Sequence, residues 1–127
     1  NVGDIYIVKE ARYHDFDATM FGYEMGQVPK LPASYSSDAK FIDKLTYPKT
    51  KLFTGDYFMT ELREDQYLVD MEGTALFQVA YLLNIPIVSI KVISDVIGKE
   101  NHLNDYETFE KVGSAKILEI YKQIEKI

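Results

Sequence analysis

The segment Gln66 to Asp95, QYLVDMEGTALFQVAYLLNIPIVSIKVISD, decides the fold. Its opening, Gln66 to Asp70, has the aromatic and branched content of a short strand. Met71 to Leu83 then carries Met71, Ala75, Leu76, Val79, Leu82 and Leu83 at helical spacing, which predicts a buried helix face. Asn84 and Pro86 end that helix. From Ile85 to Val92 runs a nearly continuous β-branched stretch, interrupted by Pro86, Ser89 and Lys91, the pattern of a central strand covered on both faces. Strand, helix and strand in this order imply parallel strands joined by a crossover helix, and therefore an α/β fold with a mixed or parallel sheet.

Toward the amino terminus, Asp4 to Val8 reads as a strand and Lys51 to Thr54 as another that stops at Gly55. Between them, Glu10 to Pro32 follows neither a 3.6 nor a 2 period and contains Gly22, Gly26, Pro29 and Pro32, so a long shaped loop is expected. Ser37 to Leu45 fits a brief helix that ends before Tyr47-Pro48. Toward the carboxyl terminus, Asp105 to Ile124 aligns Phe109, Val112, Gly113, Ile117, Ile120, Tyr121 and Ile124 on one helical stripe. Residues 1–127 form one unit, without repeat or linker.

Composition narrows the function. The 14 Lys and Arg against 20 Asp and Glu give a formal charge of -6, which disfavours a nucleic-acid backbone as partner. Apolar residues make up 46% of the chain, enough for a real core. Cys is absent, which excludes disulfides, thiolate catalysis and thiolate metal sites. No apolar run approaches the roughly 18 to 20 residues of a membrane span, and no signal peptide is visible, so the expected location is cytoplasmic. His14 and His102 are isolated and far apart, a poor start for a metal site, and none is expected. Neither glycine-rich phosphate signature nor a Gly-x-Ser-x-Gly elbow occurs, so no cofactor and no serine nucleophile are implied.

In open α/β sheets, ligands gather at the carboxyl ends of strands. Three places qualify: Thr54-Gly55-Asp56-Tyr57-Phe58-Met59, Asp70-Met71-Glu72-Gly73 and Ser94-Asp95. Glu72 answers to two descriptions, a carboxylate serving the free N–H groups of a helix start or an acceptor for a diol such as ribose. Asp95 likewise fits a turn-forming residue or an acid that shares a proton with a substrate ring nitrogen, a role favoured by partial burial, with Ser94 to orient it. Phe16, Phe21, Tyr23 and Tyr35, with Met20, Met25 and Pro29, fit either a packed cluster or an apolar wall for a ligand or second subunit. Phe58 and Met59 are side chains of a kind able to sandwich a flat heterocycle, although a lone Phe does not by itself show this.

Taken in order, Ala11-Arg12-Tyr13-His14-Asp15, Phe21-Gly22-Tyr23-Glu24-Met25-Gly26-Gln27, Thr54-Gly55-Asp56, Asp70-Met71-Glu72-Gly73-Thr74-Ala75 and Ile93-Ser94-Asp95 resemble the 5'-methylthioadenosine/S-adenosylhomocysteine nucleosidases. The resemblance implies a three-layer phosphorylase/hydrolase-like α/β fold with a mixed central sheet, and hydrolysis of the N-glycosidic bond of 5'-alkylthioadenosines. It makes Asp95 the acid that protonates adenine N7, with Ser94 holding it, and gives the ribose hydroxyls to Glu72, with Met71 against the sugar. It places Phe58 and Met59 on adenine, and Phe21, Tyr23 and Pro29 across a homodimer interface in the alkylthio pocket. The family's water-activating Glu lies near its amino terminus, ahead of the block that begins at Asn1, so the chain corresponds to the carboxyl-terminal portion of the domain. Thr54-Gly55-Asp56 stands where the family has Ser-Gly-Asp, Met59 replaces a β-branched residue, and the stretches Leu45 to Leu52 and Met59 to Gln66 are short. A nucleoside phosphorylase and a non-catalytic nucleoside-binding or dimerisation module are the alternative expectations.

Overall fold

The central strand pair is β1 (Ile5–Tyr13) and β2 (Lys49–Thr54), which run parallel. In β1 both Ile7 and Val8 are fully buried, and in β2 both Leu52 and Phe53 are buried. Neighbouring strand residues point to opposite faces, so both faces of this pair are covered, as a layered α/β fold requires. The computed structural model describes residues 1–57, 66–97 and 102–127, with the side chains of the last segment described at 107 and from 109 onward.

Sheet order is β3-β2-β1-β4, with β3 (Leu68–Asp70) parallel to β2 and β4 (Ile90–Val92) antiparallel to β1. The sheet is therefore mixed. The helices are α1 (Ala39–Ile42), α2 (Gly73–Leu82) and α3 (His102–Glu125), with a 3-10 turn at Thr19–Phe21. The core cluster joins Val8 and Ala11 of β1, Leu52 of β2, Leu68 of β3, Phe77 of α2 and Tyr35.

β1 is longer than the sequence pattern predicts. Val8 and Ala11 share one core although they stand three apart, an odd spacing that a regular strand does not allow. The register shift between Val8 and Glu10 accounts for it: an extra residue bulges and restores the inward direction. That bulge also breaks the period, so the alternation stops being legible at Val8. The brief helix is capped one residue later than expected, by Asp38, whose carboxylate accepts from the Lys40 N–H at 2.9 Å.

Three expectations require correction. The run Ile85 to Val92 is not a central strand: only Ile90–Val92 is strand, and among the described residues it pairs on β1 alone. Pro86 lacks an N–H, Ile85 N–H closes the end of α2 on Ala80, and Ile87 C=O accepts from Asp38 N–H, so residues 85–87 spend these backbone groups outside the ladder. In α2 the predicted face is turned outward. Gly73, Thr74, Phe77 and Ala80 are buried, whereas Leu76 is 62% exposed and Val79, Leu82 and Leu83 are exposed as well. The small residues explain the choice, because a side chain at Gly73 would run into Leu52 and Asp70, so only this face permits such close approach to the sheet. The carboxyl-terminal helix is partly misread in the same way: Gly113 and Ile120 are buried, but Val112, Ile117 and Tyr121 are exposed. No helix among the described residues is long and apolar enough to cross a membrane.

Candidate active site

The ends of β2 and β3 and the start of α2 meet in a polar junction. Thr54 Oγ donates to Asp70 Oδ1 at 2.6 Å and accepts from both the Thr74 N–H at 3.0 Å and Thr74 Oγ at 2.8 Å. Asp70 Oδ2 accepts from the Gly73 N–H at 2.9 Å and pairs with Lys91 Nζ at 2.9 Å. Thr54 and Thr74 are buried, so a tight network here replaces the water that the α2 amino terminus would otherwise bind.

This network separates the two descriptions of Glu72. Glu72 occupies the N-cap position of α2, yet its side chain makes no capping hydrogen bond. Asp70 performs that service instead, on the Gly73 N–H. The Glu72 carboxylate is left exposed at the mouth of the strand ends, beside exposed Met71. A carboxylate so placed can accept two hydrogen bonds from a vicinal diol.

Ser94 and Asp95 follow β4. Ser94 Oγ donates to Asp95 Oδ1 at 2.6 Å, which fixes the rotation of the carboxyl group. Asp95 is exposed rather than partly buried, and Ser94 is half-buried.

The neighbouring strand ends are tied together. His14 N–H donates to Thr54 C=O, Asp56 N–H donates to Asp15 Oδ2 at 2.7 Å, and the buried His14 ring meets Tyr57 edge-on at 4.9 Å. A Cβ on Gly55 would strike the His14 ring, so this crossing demands glycine. Tyr13 Oη reaches Gln78 Oε1 at 2.9 Å, which anchors α2 to the end of β1. Burial, with Asp15 and Asp56 adding to it, pushes the Tyr13 phenol up from its ordinary range.

The loop after β1 is shaped by its own polar groups. Arg12 donates to Met25 C=O at 3.0 Å, Gly26 N–H to Phe16 C=O at 2.7 Å, and Gln27 Nε2 to Leu31 C=O at 2.8 Å. It presents Phe21 at 75% exposure, with Met20 and Pro29 also exposed and Tyr23 half-buried. The packed-cluster description thus fails for most of this group and holds for Tyr35, which lies in the core. Phe58 and Met59 lie outside the described residues. Lys91 was not legible as a site residue; its only sequence signal is a charge inside an apolar run.

The chain, a mixed sheet flanked by helices with acidic residues on the loops after β3 and β4, belongs to the phosphorylase superfamily, whose family model matches residues 1–124. Within it, the chain is similar to the 5'-methylthioadenosine/S-adenosylhomocysteine nucleosidases of Bacillus licheniformis and Bacillus subtilis, at 37% and 36% identity over the whole chain. The chain spans 63% of the length of each of these relatives. Among solved structures, it is similar to the nucleosidase of Neisseria meningitidis in complex with methylthio-immucillin-A, with TM-score 0.82 and 28% identity over 99% of this chain and 62% of that one. The Colwellia psychrerythraea nucleosidase in complex with adenine gives TM-score 0.69 and 35% identity over 86% of this chain and 53% of that one.

Proposed function

We propose that the full-length protein is a 5'-methylthioadenosine/S-adenosylhomocysteine nucleosidase, which hydrolyses the N-glycosidic bond to release adenine and a 5-thioribose sugar. The observation that carries this reading is the uncommitted Glu72 carboxylate, excused from helix capping by Asp70 and presented to the strand ends. In this reading Glu72 holds the ribose hydroxyls and Met71 packs on the sugar. Asp95, oriented by Ser94, donates a proton to adenine N7, so the electron pair of the breaking C–N bond is drawn into the ring and the base leaves neutral. The ribosyl centre passes through an oxocarbenium-like state that water captures. Glu72 and Asp95 are engaged with sugar and base, so a third group readies the water.

Phe58 and Met59 contact adenine, and Phe21, Tyr23 and Pro29 of one subunit line the alkylthio pocket of the other in a cytoplasmic homodimer. The high exposure of Phe21 supports this part of the reading, since a large apolar ring on an ordered loop gains from being covered. No metal or cofactor takes part. The test is adenine release from 5'-methylthioadenosine by the full-length gene product, with and without phosphate. Release at an unchanged rate, with free thioribose as product, supports hydrolysis; a phosphate-dependent rate with sugar phosphate as product makes the enzyme a phosphorylase; tight binding without turnover makes it a nucleoside-binding module.

A further inference from the structure

In a flat sheet β3 and β4 would lie three strand spacings apart, roughly 14 Å. Yet Lys91 of β4 meets Asp70 of β3 at 2.9 Å. The residue opposite Lys91 in the β1–β4 ladder is Tyr6, and it too reaches across, its Oη accepting from Gln66 Nε2 at 3.1 Å just ahead of β3. The contact between the two outer strands calls for a sheet that curls, and the Tyr6–Gln66 bond beside it fits the same curl.

The curl has a chemical consequence. Asp70 stands two residues before Glu72, and Lys91 stands three residues before Ser94. We propose that the Lys91–Asp70 ion pair is a positioning device that sets the Met71–Glu72 turn against the Ser94–Asp95 turn, and so fixes the sugar-binding carboxylate relative to the acid. This inference rests on the proposed function for the roles of Glu72 and Asp95, while the clamp itself rests on contacts alone.

Asp70 is suited to the task because its side chain is 13% exposed and both its oxygens are engaged: Oδ1 by Thr54, Oδ2 by the Gly73 N–H and Lys91. Moving Lys91 away leaves a largely buried carboxylate short of its counter-charge, and that carboxylate re-orients. Gly73 follows, since its N–H bonds the same Oδ2, and Glu72 is the next residue in the chain. A buried pair of this kind contributes little net stability against an apolar substitute, so its influence is expected in geometry. An ångström of misplacement in a catalytic arrangement can cost about a hundredfold in rate.

The experiment compares wild type, Lys91→Met and Lys91→Arg in the full-length gene product. It measures kcat and KM for 5'-methylthioadenosine, the Kd for adenine, and amide exchange at Gly73. The expected result for Lys91→Met is a kcat lower by about 10- to 100-fold, an adenine Kd within about threefold of wild type, and faster Gly73 exchange. Lys91→Arg restores kcat to within about fivefold, because it keeps the charge at that reach. Wild-type kcat and wild-type Gly73 exchange in Lys91→Met overturn the proposal, as does a kcat loss that Arg fails to rescue. If Lys91→Met does not fold, Lys91→Gln replaces it, and misfolding of both overturns positioning in favour of a purely structural pair. If wild type releases no adenine, the proposed function fails on its own, and Gly73 exchange still decides whether Lys91 holds the Glu72 turn.

Discussion

Ser94 Oγ lies 2.6 Å from Asp95 Oδ1, a short hydrogen bond between adjacent residues that holds the carboxyl group of an otherwise exposed aspartate in one orientation. The hydroxyl is worth about 1 to 1.5 kcal/mol to that orientation, as for a single hydrogen bond. Ser94→Ala in the full-length gene product is therefore expected to lower kcat about 10-fold with little change in fold stability. Steady-state adenine release against the melting temperature of the same preparation checks it.

Thr54 is the junction of the polar network, and its loss is expected to exceed that of its partner. Thr54→Val removes the donor to Asp70 Oδ1 and the acceptor for both the Thr74 N–H and the Thr74 hydroxyl, so three groups lose a partner. Thr74→Val removes only the hydroxyl-to-hydroxyl bond and keeps the N–H contact. Expected losses are about 2 to 4 kcal/mol for Thr54→Val and about 1 kcal/mol for Thr74→Val. Urea denaturation of both variants measures the difference, and equal losses would remove Thr54 from the centre.

Tyr35 carries a buried hydroxyl with no hydrogen-bond partner among the described residues. An unpaired buried hydroxyl costs stability, so Tyr35→Phe is expected to be neutral or to stabilise by up to about 1 kcal/mol. Burial, with Tyr13 and Tyr81 nearby, raises the Tyr35 pKa above its ordinary 10.0. As pH climbs past 10.0, the unfolded chain gives up the phenolic proton while the folded chain still holds it. Stability is therefore intact below that value and falls as pH rises through the folded-state pKa. Tyr35→Phe should flatten this alkaline decline in a series of unfolding midpoints, while an unchanged slope would assign it to other phenols.

The register of α2 gives a further contrast in the 127-residue chain. Phe77 is 2% exposed and Leu76 is 62% exposed, although a helical wheel drawn from the sequence favours Leu76 as core. Phe77→Ala is expected to cost about 3 to 5 kcal/mol and Leu76→Ala less than about 1 kcal/mol, again by urea denaturation. The reverse order would restore the face predicted from spacing.

These contrasts show what local pattern can and cannot carry. The existence of α2 and α3, the strand nature of Lys51–Thr54, and the candidate turns after β3 and β4 follow from residue types within a few positions of one another. Which face of α2 turns inward does not, because two stripes have helical spacing and the winner is set by close approach at Gly73. Nor does the division of labour between Asp70 and Glu72, two acids at one helix start, since the capping geometry that separates them depends on Thr54, 16 residues from Asp70. The bulge in β1 conceals five residues of strand beyond Val8 by breaking its period. Lys91 gains meaning only from the curl of the sheet, which no window of sequence contains.

The most direct measurement is the rate of adenine release from 5'-methylthioadenosine by wild type and Asp95→Asn full-length protein, assayed at saturating substrate. Asparagine keeps the shape and the contact to Ser94 but has no acidic proton to transfer to adenine N7. A kcat lower by about 10²- to 10⁴-fold, with adenine still bound, is the predicted result; a wild-type rate in Asp95→Asn would contradict acid-assisted departure of the base from this site.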